Sequence, residues 1–557
     1  MNKIKYAFLG IVAVAFAGCA DLDYNEASNR DEDWTYNSPL NGVKALVYDV
    51  YAQMPSEFKD NSYGNGAMIA SATDESEFAL SFSPIHKYFN GGWTPSNPFS
   101  ITWDRSYRAI TQVHMYLERI HKIDLSDYEY DPDYQTMVQQ FEIFPYELRF
   151  LRAYFYFELV RAYGDVPLVT TTLTNEQANS VERTPAKDVF RFIINELDAV
   201  AEYLPGQEIG RATRGAALAL KARVLLYQAS PLFNTDNSKE LWKEAAAASK
   251  VIIDNAQRWG YKLSEYANLW GHDTFTNPEF IFVLGTQASN TFEQYNYPVG
   301  VENGNSGNCP TQALVDAYEY QFDGKTFKEK HPGDVDVTAE NPYDGLDPRF
   351  ALTVVKNGDL WPSNTAQQIA IETYQNGFNG APKYGATPTG YYLKKFVDGN
   401  CITTANNQTT TRHNWIVMRL AEVYLNYAEA MYNYYGNADE PGDFGMSANE
   451  AVNVLRNRPD IMMPEFQGNN GFEERYMRER MVELAFEGQR FWDVRRWKKG
   501  AEFFKNVDVA DFKLDGNGNL ILNRVTKTRQ WDEKYNLYPI PQSEIQKNGN
   551  LKQNPNW

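Results

Sequence analysis

The sequence predicts a mostly α-helical protein with a loop-rich region that contains a few short strands. Two observations carry this prediction. Apolar side chains recur at a period near 3.6 residues in the N-terminal half and again near the C terminus, as in amphipathic helices. Residues 268–412 are instead rich in Gly, Pro, Asn and Thr, which favour turns and loops. With 557 residues and 43% hydrophobic content, the chain can bury a substantial core.

The helical segments follow one another in the N-terminal half. Thr184 is a suitable N-cap and Pro185 suits the first helical position, which marks the start of the third segment. Gly164 and Pro167 end the second segment. The five predicted helices cover residues 103–120, 148–162, 185–204, 215–229 and 241–255.

Small side chains recur on neighbouring helical segments. Ala216, Ala219 and Ala222 share one face, and residues 242–249 offer a second small-residue face. Such faces let two helices approach closely, as in tetratricopeptide-type hairpins. A similar pair of segments is predicted at 416–435 and 447–458. On periodicity alone, a plain helix bundle fits equally well.

The loop-rich region contains two apolar runs that are long enough for strands. Residues 280–285 read FIFVLG and predict a buried strand, and residues 391–397 predict another. Aromatic residues are scattered between these runs without a helical period. Loops held by a rigid scaffold are common locations for binding residues.

The first nineteen residues have the pattern of an export signal. Lys3 and Lys5 precede an apolar run from residue 6 to residue 17, and small residues lead to Cys19. The ending resembles the lipobox of bacterial lipoproteins, in which the cysteine is lipidated and begins the mature chain. Residues 1–18 are then the signal peptide and 19–39 an acidic tether. An ordinary signal peptide with a chance cysteine remains the alternative.

The composition disfavours several functional classes. The 53 Lys+Arg against 72 Asp+Glu give a net charge of −19, which disfavours binding to nucleic acid. Cys19, Cys309 and Cys401 form neither a disulfide framework nor a CxxC pair, and the histidines show no metal-binding spacing. We therefore expect no metal and no cofactor. The common hydrolase, nucleotide-binding and kinase motifs are missing from the sequence.

One polar cluster could be taken for an active site. Glu483 and Glu487 lie four residues apart in RERMVELAFEGQRFWDVRRW, residues 478–497, as a pair of catalytic carboxylates would. Several arginines and large apolar residues surround them. Arginines lower the pKa of a neighbouring carboxyl group, which makes it a poor proton donor. A structural ion-pair network is the favoured interpretation.

Seven motifs, in order along the chain, resemble those of the SusD/RagB family of surface glycan-binding lipoproteins. They span residues 147–557. They are ELRFLRAYFYFELVRAYGDVPLV at 147–169, ALKARVLLYQASPLFN at 219–234, DPRF at 347–350, TGYYLKKF at 389–396, RLAEVYLNYAEAM at 419–431, the 478–497 cluster, and YPIPQSEIQKNGNLKQNPNW at 538–557.

The resemblance implies one SusD-like fold over residues 40–557, with tetratricopeptide-like hairpins and a loop-rich ligand-binding region. Its parts would be 40–267, 268–412 and 413–557. It also implies a lipoprotein on the outer face of the outer membrane, anchored only through its lipid. Such a protein binds an oligosaccharide or polysaccharide without cleaving it. It delivers this glycan to a SusC-like TonB-dependent transporter.

The binding site has to be inferred from the residues themselves, because the shared motifs mainly form the fold. Sugars present C–H faces and hydroxyl rims, so a site needs exposed aromatic rings and polar side chains. In the family that the chain resembles, such rings come from the loop before the second main helix and from the loop-rich middle, and the resemblance implies the corresponding candidates here. These are Asp74, Tyr88, Trp93, Trp270, Tyr295, Tyr297, Trp361 and Tyr374. Trp93 and Trp361 are the strongest candidates for a ligand contact. Trp361 is preferred because it lies in a polar, turn-like segment.

Two other functional classes remain open at this stage. A lipid-anchored glycoside hydrolase would use Glu483 and Glu487. A structural or peptide-binding helical-repeat protein would have no affinity for saccharides. The identity of the glycan cannot be read from the sequence, since linkage preference depends on the angle and spacing of the rings.

Overall fold

The computed structural model describes residues 40, 42–58, 66–98, 100–271, 274–322, 326–328 and 343–557. The signal sequence, Cys19 and the tether lie outside these residues. The helices of eight residues or more in the described part are α1 (Val43–Ala52), α2 (Thr102–Arg119), α3 (Tyr134–Tyr163), α4 (Ala186–Ala201), α5 (Arg214–Ala229), α6 (Lys239–Asn255), α7 (Leu420–Tyr435), α8 (Ala448–Arg456), α9 (Phe472–Glu483) and α10 (Gln489–Arg496). The predicted mostly helical fold is confirmed. Within the described ranges, no helix has the length and apolar composition needed to cross a membrane.

The helices α3 to α8 pack in series. Each contacts the next one along the chain, and α7 packs on α6, so the C-terminal pair α7–α8 continues the N-terminal array. Ala216, Ala219 and Ala222 of α5 are buried, as are Ala245 and Ala246 of α6. The two helices pack against each other, and the helical hairpins are confirmed. The alanines of α5 and those of α6 belong to two different buried clusters, so contact between the two small-residue faces stays a prediction.

Local sequence signals determine most helix ends. Gly164 follows α3 with a φ of +72°, a conformation that favours glycine. The Thr213 hydroxyl caps α5 by accepting a hydrogen bond from the Ala216 N–H at 3.0 Å. The predicted start of α4 is wrong by one residue: Pro185 is the N-cap, and Thr184 instead bridges to Val166 in an extended conformation.

The strands are short and pair in two-stranded sheets. In chain order they are β1 (Ser76–Phe78), β2 (Phe280–Gly285), β3 (Asn308–Pro310), β4 (Tyr320–Phe322), β5 (Thr326–Lys328), β6 (Val354–Val355), β7 (Leu360–Trp361), β8 (Ile369–Ala370), β9 (Tyr392–Leu393), β10 (Asn414–Arg419), β11 (Asn506–Leu514) and β12 (Leu520–Thr528).

The strand β2 confirms one prediction, and its partner corrects another. It pairs antiparallel with β10, whose residues are all buried. The sequence predicts a helix from residue 416, but residues 416–419 belong to β10, where Ile416 and Val417 are β-branched and buried. The helix α7 begins only at Leu420. The strand predicted at 391–397 is reduced to β9, which pairs with β6.

The turn Asp515–Asn519 connects the strands β11 and β12 of a hairpin. The Asp515 Oδ1 atom accepts hydrogen bonds from the N–H groups of Asn517 and Asn519, each at 2.8 Å. Its carboxylate is thus satisfied by the turn itself. The segment is therefore a hairpin turn.

Candidate functional site

The predicted ring platform at Trp93 is buried. Only 2% of Trp93 is exposed, and its Nε1–H donates to the Pro98 carbonyl at 3.0 Å. The ring contacts Tyr88, and it also contacts Tyr535, Tyr538 and Trp557 of the C-terminal segment. Tyr88 is buried as well, and its hydroxyl is 3.2 Å from that of Tyr538. The expectation of exposed rings at these two positions is wrong, because the end of the chain folds over them.

Trp361 is also buried, with 5% of the residue exposed. Its segment is the strand β7, which pairs with β8, and its ring lies against Gly399. Tyr297 is fully buried nearby and donates to the carbonyls of Asp398 and Cys401, both at 2.7 Å. The expectation of exposure is wrong for Trp361 and Tyr297, because the chain around residue 399 covers them.

The other predicted residues have different environments. The carboxylate of Asp74 is buried and holds the guanidinium of Arg490, which leaves it unavailable to a sugar hydroxyl. Trp270 is half-buried, with the Lys395 ammonium 3.8 Å from its ring centroid. Tyr295 lies half-buried against Gly66, and Tyr374 is half-buried at the start of an exposed loop. A ligand role for Trp270, Tyr295 and Tyr374 remains a prediction.

Among the residues of the loop-rich region whose exposure the structure describes, the most exposed aromatic rings lie on residues 372–386, which we name the aromatic loop. Phe378 is 52% exposed and Tyr384 is 78% exposed. Tyr384 is visible in the sequence among the scattered aromatics, but neither residue was selected as a site residue. Both rings lie beside a glycine in segments without helical period, but Trp93 and Trp361 have the same kind of local signal and are buried, so this signal does not separate exposed from buried rings.

Hydrogen bonds fix the shape of the aromatic loop. The N–H of Phe378 donates to Glu372 Oε2 at 2.9 Å, and the N–H of Glu372 donates to Asn379 Oδ1 at 2.9 Å. The Asn379 side chain in turn donates to the Val299 carbonyl at 2.7 Å. The Lys383 ammonium lies 4.1 Å from the centroid of the Phe378 ring, a cation–π contact. Phe378 is therefore exposed on a supported backbone.

A second loop meets the aromatic loop and carries another exposed ring. Phe82 is 59% exposed. Two residues earlier, Leu80 Cδ2 lies 3.7 Å from the position that a Cβ atom on Gly385 would occupy. The N–H of Ala79 donates to the Gly307 carbonyl at 2.8 Å and fixes the base of this loop. Rings from two distant parts of the chain thus lie on neighbouring loops.

This arrangement suits a ligand with apolar faces and polar edges. Exposed aromatic rings bind the C–H faces of such a ligand, and side chains at the edges accept or donate hydrogen bonds. The aromatic loop provides Gln375, Asn376 and Lys383 as exposed polar residues beside its rings. Burial and the neighbouring Glu372 raise the pKa of Tyr374 above its ordinary value, so its hydroxyl stays neutral.

The acidic pair Glu483 and Glu487 lies inside the protein. Glu483 contacts the guanidinium groups of Arg349, Arg419 and Arg458 at 2.8 to 3.1 Å. Burial raises the pKa of Glu483, but these three arginines outweigh it and hold the pKa well below the ordinary range. Glu487 is paired with Lys395 and Arg419, each at 2.8 Å, and its pKa is also lowered. Neither carboxyl group can donate a proton at neutral pH, so the cluster is a structural ion-pair network.

The described residues contain no group of three or more His, Cys, Asp or Glu side chains arranged to hold a metal ion. Cys309 and Cys401 are unpaired thiols, and burial raises their pKa to about 12 and about 11. They therefore stay protonated at neutral pH.

Comparison with known proteins finds one family match in the C-terminal half of the chain and another in its N-terminal part. Residues 278–557 match the model of the SusD family, and residues 22–226 match one described as "Starch-binding associating with outer membrane". The SusD-like protein P2 of Formosa agariphila is 26% identical over 580 residues, which cover 100% of this chain and 99% of that protein. The starch-binding protein SusD of Bacteroides thetaiotaomicron is 24% identical over 491 residues, 84% of this chain and 80% of that protein.

Solved structures show the same fold. A SusD-like protein of Bacteroides fragilis has a TM-score of 0.76 and 26% identity, and covers 95% of this chain and 98% of its own. A SusD-like carbohydrate-binding protein of the same species has a TM-score of 0.73 and 24% identity, with coverage of 94% and 100%.

Proposed function

The chain belongs to the SusD family, and from that premise we propose that it is a non-catalytic carbohydrate-binding lipoprotein of the outer membrane. It captures an oligosaccharide or polysaccharide outside the cell and delivers it to a SusC-like TonB-dependent transporter. The observation that carries the binding proposal is the exposure of Phe378, Tyr384 and Phe82 on two loops that touch at Leu80 and Gly385.

Ring contact explains how such a surface retains a sugar chain in water. When the C–H face of a pyranose lies on an aromatic ring, the apolar surface of both groups is removed from water. The backbone of the aromatic loop is already fixed by Glu372 and Asn379, so little ordering is needed on binding. The surface is open, which suits a chain that enters and leaves from either side.

The non-catalytic part of the proposal is supported by the state of the acidic residues. A glycoside hydrolase needs one carboxyl group that can donate a proton. Glu483 and Glu487, the pair that the sequence suggested, are buried and held ionised by arginine and lysine. Two of the named relatives, one from Bacteroides thetaiotaomicron and one from Bacteroides fragilis, are described as starch-binding and carbohydrate-binding proteins.

Anchoring and delivery are supported by sequence features and by the family. The pattern of residues 1–19 predicts lipidation of Cys19, and residues 19–39 would form the tether. The family model that matches residues 22–226 is described as associating with the outer membrane. A protein bound at the surface in this way has to pass its ligand to a transporter, because it cannot itself carry the ligand across.

Affinity gel electrophoresis tests the binding proposal directly. The wild-type protein should be retarded in gels that contain one of a panel of neutral polysaccharides and should release no reducing ends from it. Phe378→Ala/Tyr384→Ala should migrate as if no polysaccharide were present. Tyr130→Ala/Tyr203→Ala, which removes two exposed rings elsewhere, is the matched control and should behave like wild type.

Three results would contradict the proposal. Retardation that survives in Phe378→Ala/Tyr384→Ala would remove the aromatic loop from the site. The absence of retardation with every polysaccharide would instead favour the structural or peptide-binding alternative, and release of reducing ends would favour the hydrolase.

A further inference from the structure

The strand β12 (Leu520–Thr528) forms an unprotected edge of its sheet. It pairs with β11 on one side, and no described strand lies on its other side. Natural edge strands usually carry a bulge, a proline or an unpaired charge that prevents pairing with another chain. The pairing of β12 has no bulge, and its sequence LILNRVTKT contains no proline. Its charged residues, Arg524 and Lys527, are bound to Asp316 and Glu77 of the same chain.

The backbone groups on the outer side of β12 point away from the hairpin. On β11, the N–H of Ala510 donates to the Thr389 carbonyl at 3.0 Å, and the Phe512 carbonyl accepts from the Gln375 N–H at 2.8 Å. Ala510 and Phe512 therefore point away from β12, and the residues opposite such positions point away from β11. None of these outward-pointing backbone groups bonds to a described residue outside the hairpin. They belong to Leu520, Leu522, Arg524, Thr526 and Thr528.

Two apolar side chains are exposed on the same strand. Ile521 is 38% exposed and Val525 is 42% exposed. Both lie on one face of β12, because side chains alternate along a strand and these residues are four positions apart. Single exposed apolar residues are common on protein surfaces, but two on one face of an unpaired strand indicate a contact surface. A strand that adds to this edge has to place apolar side chains opposite both.

A second copy of β12 meets this requirement when it runs antiparallel to the first. With a twofold axis at Asn523, Ile521 of each copy lies opposite Val525 of the other. These are non-hydrogen-bonded positions, at which opposite side chains approach most closely. A register centred on Arg524 would instead place two guanidinium groups opposite each other and Ile521 opposite Lys527. The exposed apolar residues thus select the register centred on Asn523.

The same register gives partners to the outer backbone groups. Leu522 lies opposite Arg524 of the second copy, and Leu520 lies opposite Thr526 of the second copy. All of these residues direct their N–H and C=O groups out of the hairpin. Each opposite pair therefore exchanges both of its backbone hydrogen bonds, as in any antiparallel sheet.

The charges along the two strands are complementary in this register. Arg524 keeps its contact with Asp316 at 2.6 Å, so no guanidinium lacks a counter-ion. Lys527 lies opposite Asn519 of the second copy, next to the turn that contains Asp515. Hydrogen bonds from the turn, led by the Asn519 N–H, lower the pKa of Asp515, so its carboxylate is ionised at neutral pH. Each copy thus places a cation beside an anion of the other.

We propose that β12 is the contact surface for a second copy of this chain, which pairs β12 with β12 antiparallel about a twofold axis at Asn523. The sheets of the two copies become one sheet in the order β11–β12–β12–β11, and both copies use the same surface. A contact along a single strand is small, so the dimer is weak. Anchoring of both copies to one membrane raises their effective concentration. The aromatic loop takes no part in this pairing, which therefore does not depend on glycan binding.

A cysteine at the axis tests the pairing in cells that produce the full-length chain. Asn523→Cys places two thiols opposite each other, at a Cα separation of about 4.5 Å that a disulfide spans. After oxidation with copper–phenanthroline, this variant should give a band of twice the mass on a gel, and a reductant should remove it. Thr528→Cys is the matched control, because its two copies lie far apart in this register. Wild type should also give no such band, since Cys309 and Cys401 are buried.

An exchange of charges tests the register. Val525→Lys and Ile521→Glu should each raise the concentration at which half the protein is dimeric at least tenfold, because each puts a charge opposite an apolar side chain. Ile521→Glu/Val525→Lys should return to within threefold of wild type, because the new glutamate faces the new lysine of the other copy. Within one chain the two substituted residues are ~13 Å apart and cannot pair. Sedimentation equilibrium of the full-length protein in detergent measures the dimer.

Val251→Lys changes an exposed valine on α6 and should dimerise as wild type does. The proposal is overturned if wild type stays monomeric and Asn523→Cys gives no dimer band. It is also overturned if Thr528→Cys gives an equal band, or if the double variant does not recover. A crosslink from Asn523→Cys to a protein of another mass would show that a different chain occupies the edge. If a charge variant lowers the unfolding temperature, the two cysteine variants decide the test.

Discussion

The guanidinium of Arg490 holds the carboxylate of Asp74 through two parallel hydrogen bonds across 416 positions of the chain. Nε donates to Oδ1 at 2.9 Å and Nη2 donates to Oδ2 at 2.6 Å. Both side chains are buried. The pair therefore connects the first turn of α10 to the segment just before β1. Asp74 has a structural role, whereas the sequence suggests a ligand contact.

Loss of either partner of this pair should destabilise the protein. Asp74→Leu leaves a buried guanidinium without its counter-ion, and we expect a cost of about 3–5 kcal/mol. The double variant Asp74→Leu/Arg490→Leu should recover most of that loss, since no buried charge is then unpaired. Urea unfolding followed by circular dichroism measures both. Equal losses in the single and double variants would contradict this explanation.

Glu75 should make the stability depend on pH. Only 1% of the residue is exposed. Burial, and then the charge of Asp74, raise its pKa well above 4.5, although Arg490, Lys395 and the Phe486 backbone act in the opposite direction. An acid with a raised pKa contributes stability below its unfolded-state pKa of about 4.5 and loses it as the pH rises through the folded-state pKa.

Glu75→Gln should remove this dependence, because glutamine stays neutral. The variant should match wild type near pH 4.5 and become progressively more stable than wild type as the pH is raised to 8. Denaturant unfolding at a series of pH values measures the difference. Glu208→Gln, at an exposed position, is the control and should show no such trend. A constant difference between Glu75→Gln and wild type across this range would show that the folded protein ionises Glu75 normally.

Trp93→Ala should affect stability rather than ligand binding. The ring is packed among Tyr88, Tyr535, Tyr538 and Trp557. Its removal opens a cavity and should cost about 3–5 kcal/mol. Phe378→Ala, at an exposed loop position, should cost no more than ~0.5 kcal/mol. Thermal unfolding measures both, and a Trp93→Ala variant as stable as wild type would contradict the observed packing.

The same residues show how far the sequence predicts this molecule. Helical period and small-residue faces are local signals. They correctly predicted α2 to α8 with errors of a few residues at the ends, except that α3 begins at Tyr134 and not at residue 148. The burial of Trp93 depends on Tyr538, which lies 445 positions away by residue number, and no local pattern reports such a contact. Trp361 likewise appears polar and turn-like in the sequence, yet the chain around Gly399 covers it.

The exposed rings were missed for the same reason. Phe378 and Phe82 look like any other aromatic residue in a loop, and their exposure follows from how two distant loops meet at Gly385 and Leu80. A local pattern can indicate that a ring lies in a loop. Only the tertiary structure shows whether the ring faces solvent or another loop.

Cys19→Ala should release the protein from the membrane. The proposed anchor is an acyl group on this cysteine, and the tether that follows it is acidic and would not bind an anionic surface. Cells labelled with an alkynyl fatty acid should yield labelled wild-type protein in the membrane fraction and unlabelled Cys19→Ala in the soluble fraction. Cys401→Ser is the control and should keep the label. Membrane retention of unlabelled Cys19→Ala would refute the lipid anchor.

Glu483→Gln should lower stability without changing any product formed from glycans. The side chain is in contact with three guanidinium groups, and loss of its charge leaves them undercompensated, at a cost of about 3–5 kcal/mol. Because the folded-state pKa of Glu483 is lowered, its stabilising contribution is present above about pH 4.5 and is lost as the pH falls through the folded-state pKa. The deficit of the variant should therefore be largest at neutral pH and shrink in acid. Denaturant unfolding at several pH values measures the loss of stability, and a reducing-end assay detects any product formed from glycans. Release of reducing ends by wild type but not by this variant would restore the hydrolase alternative.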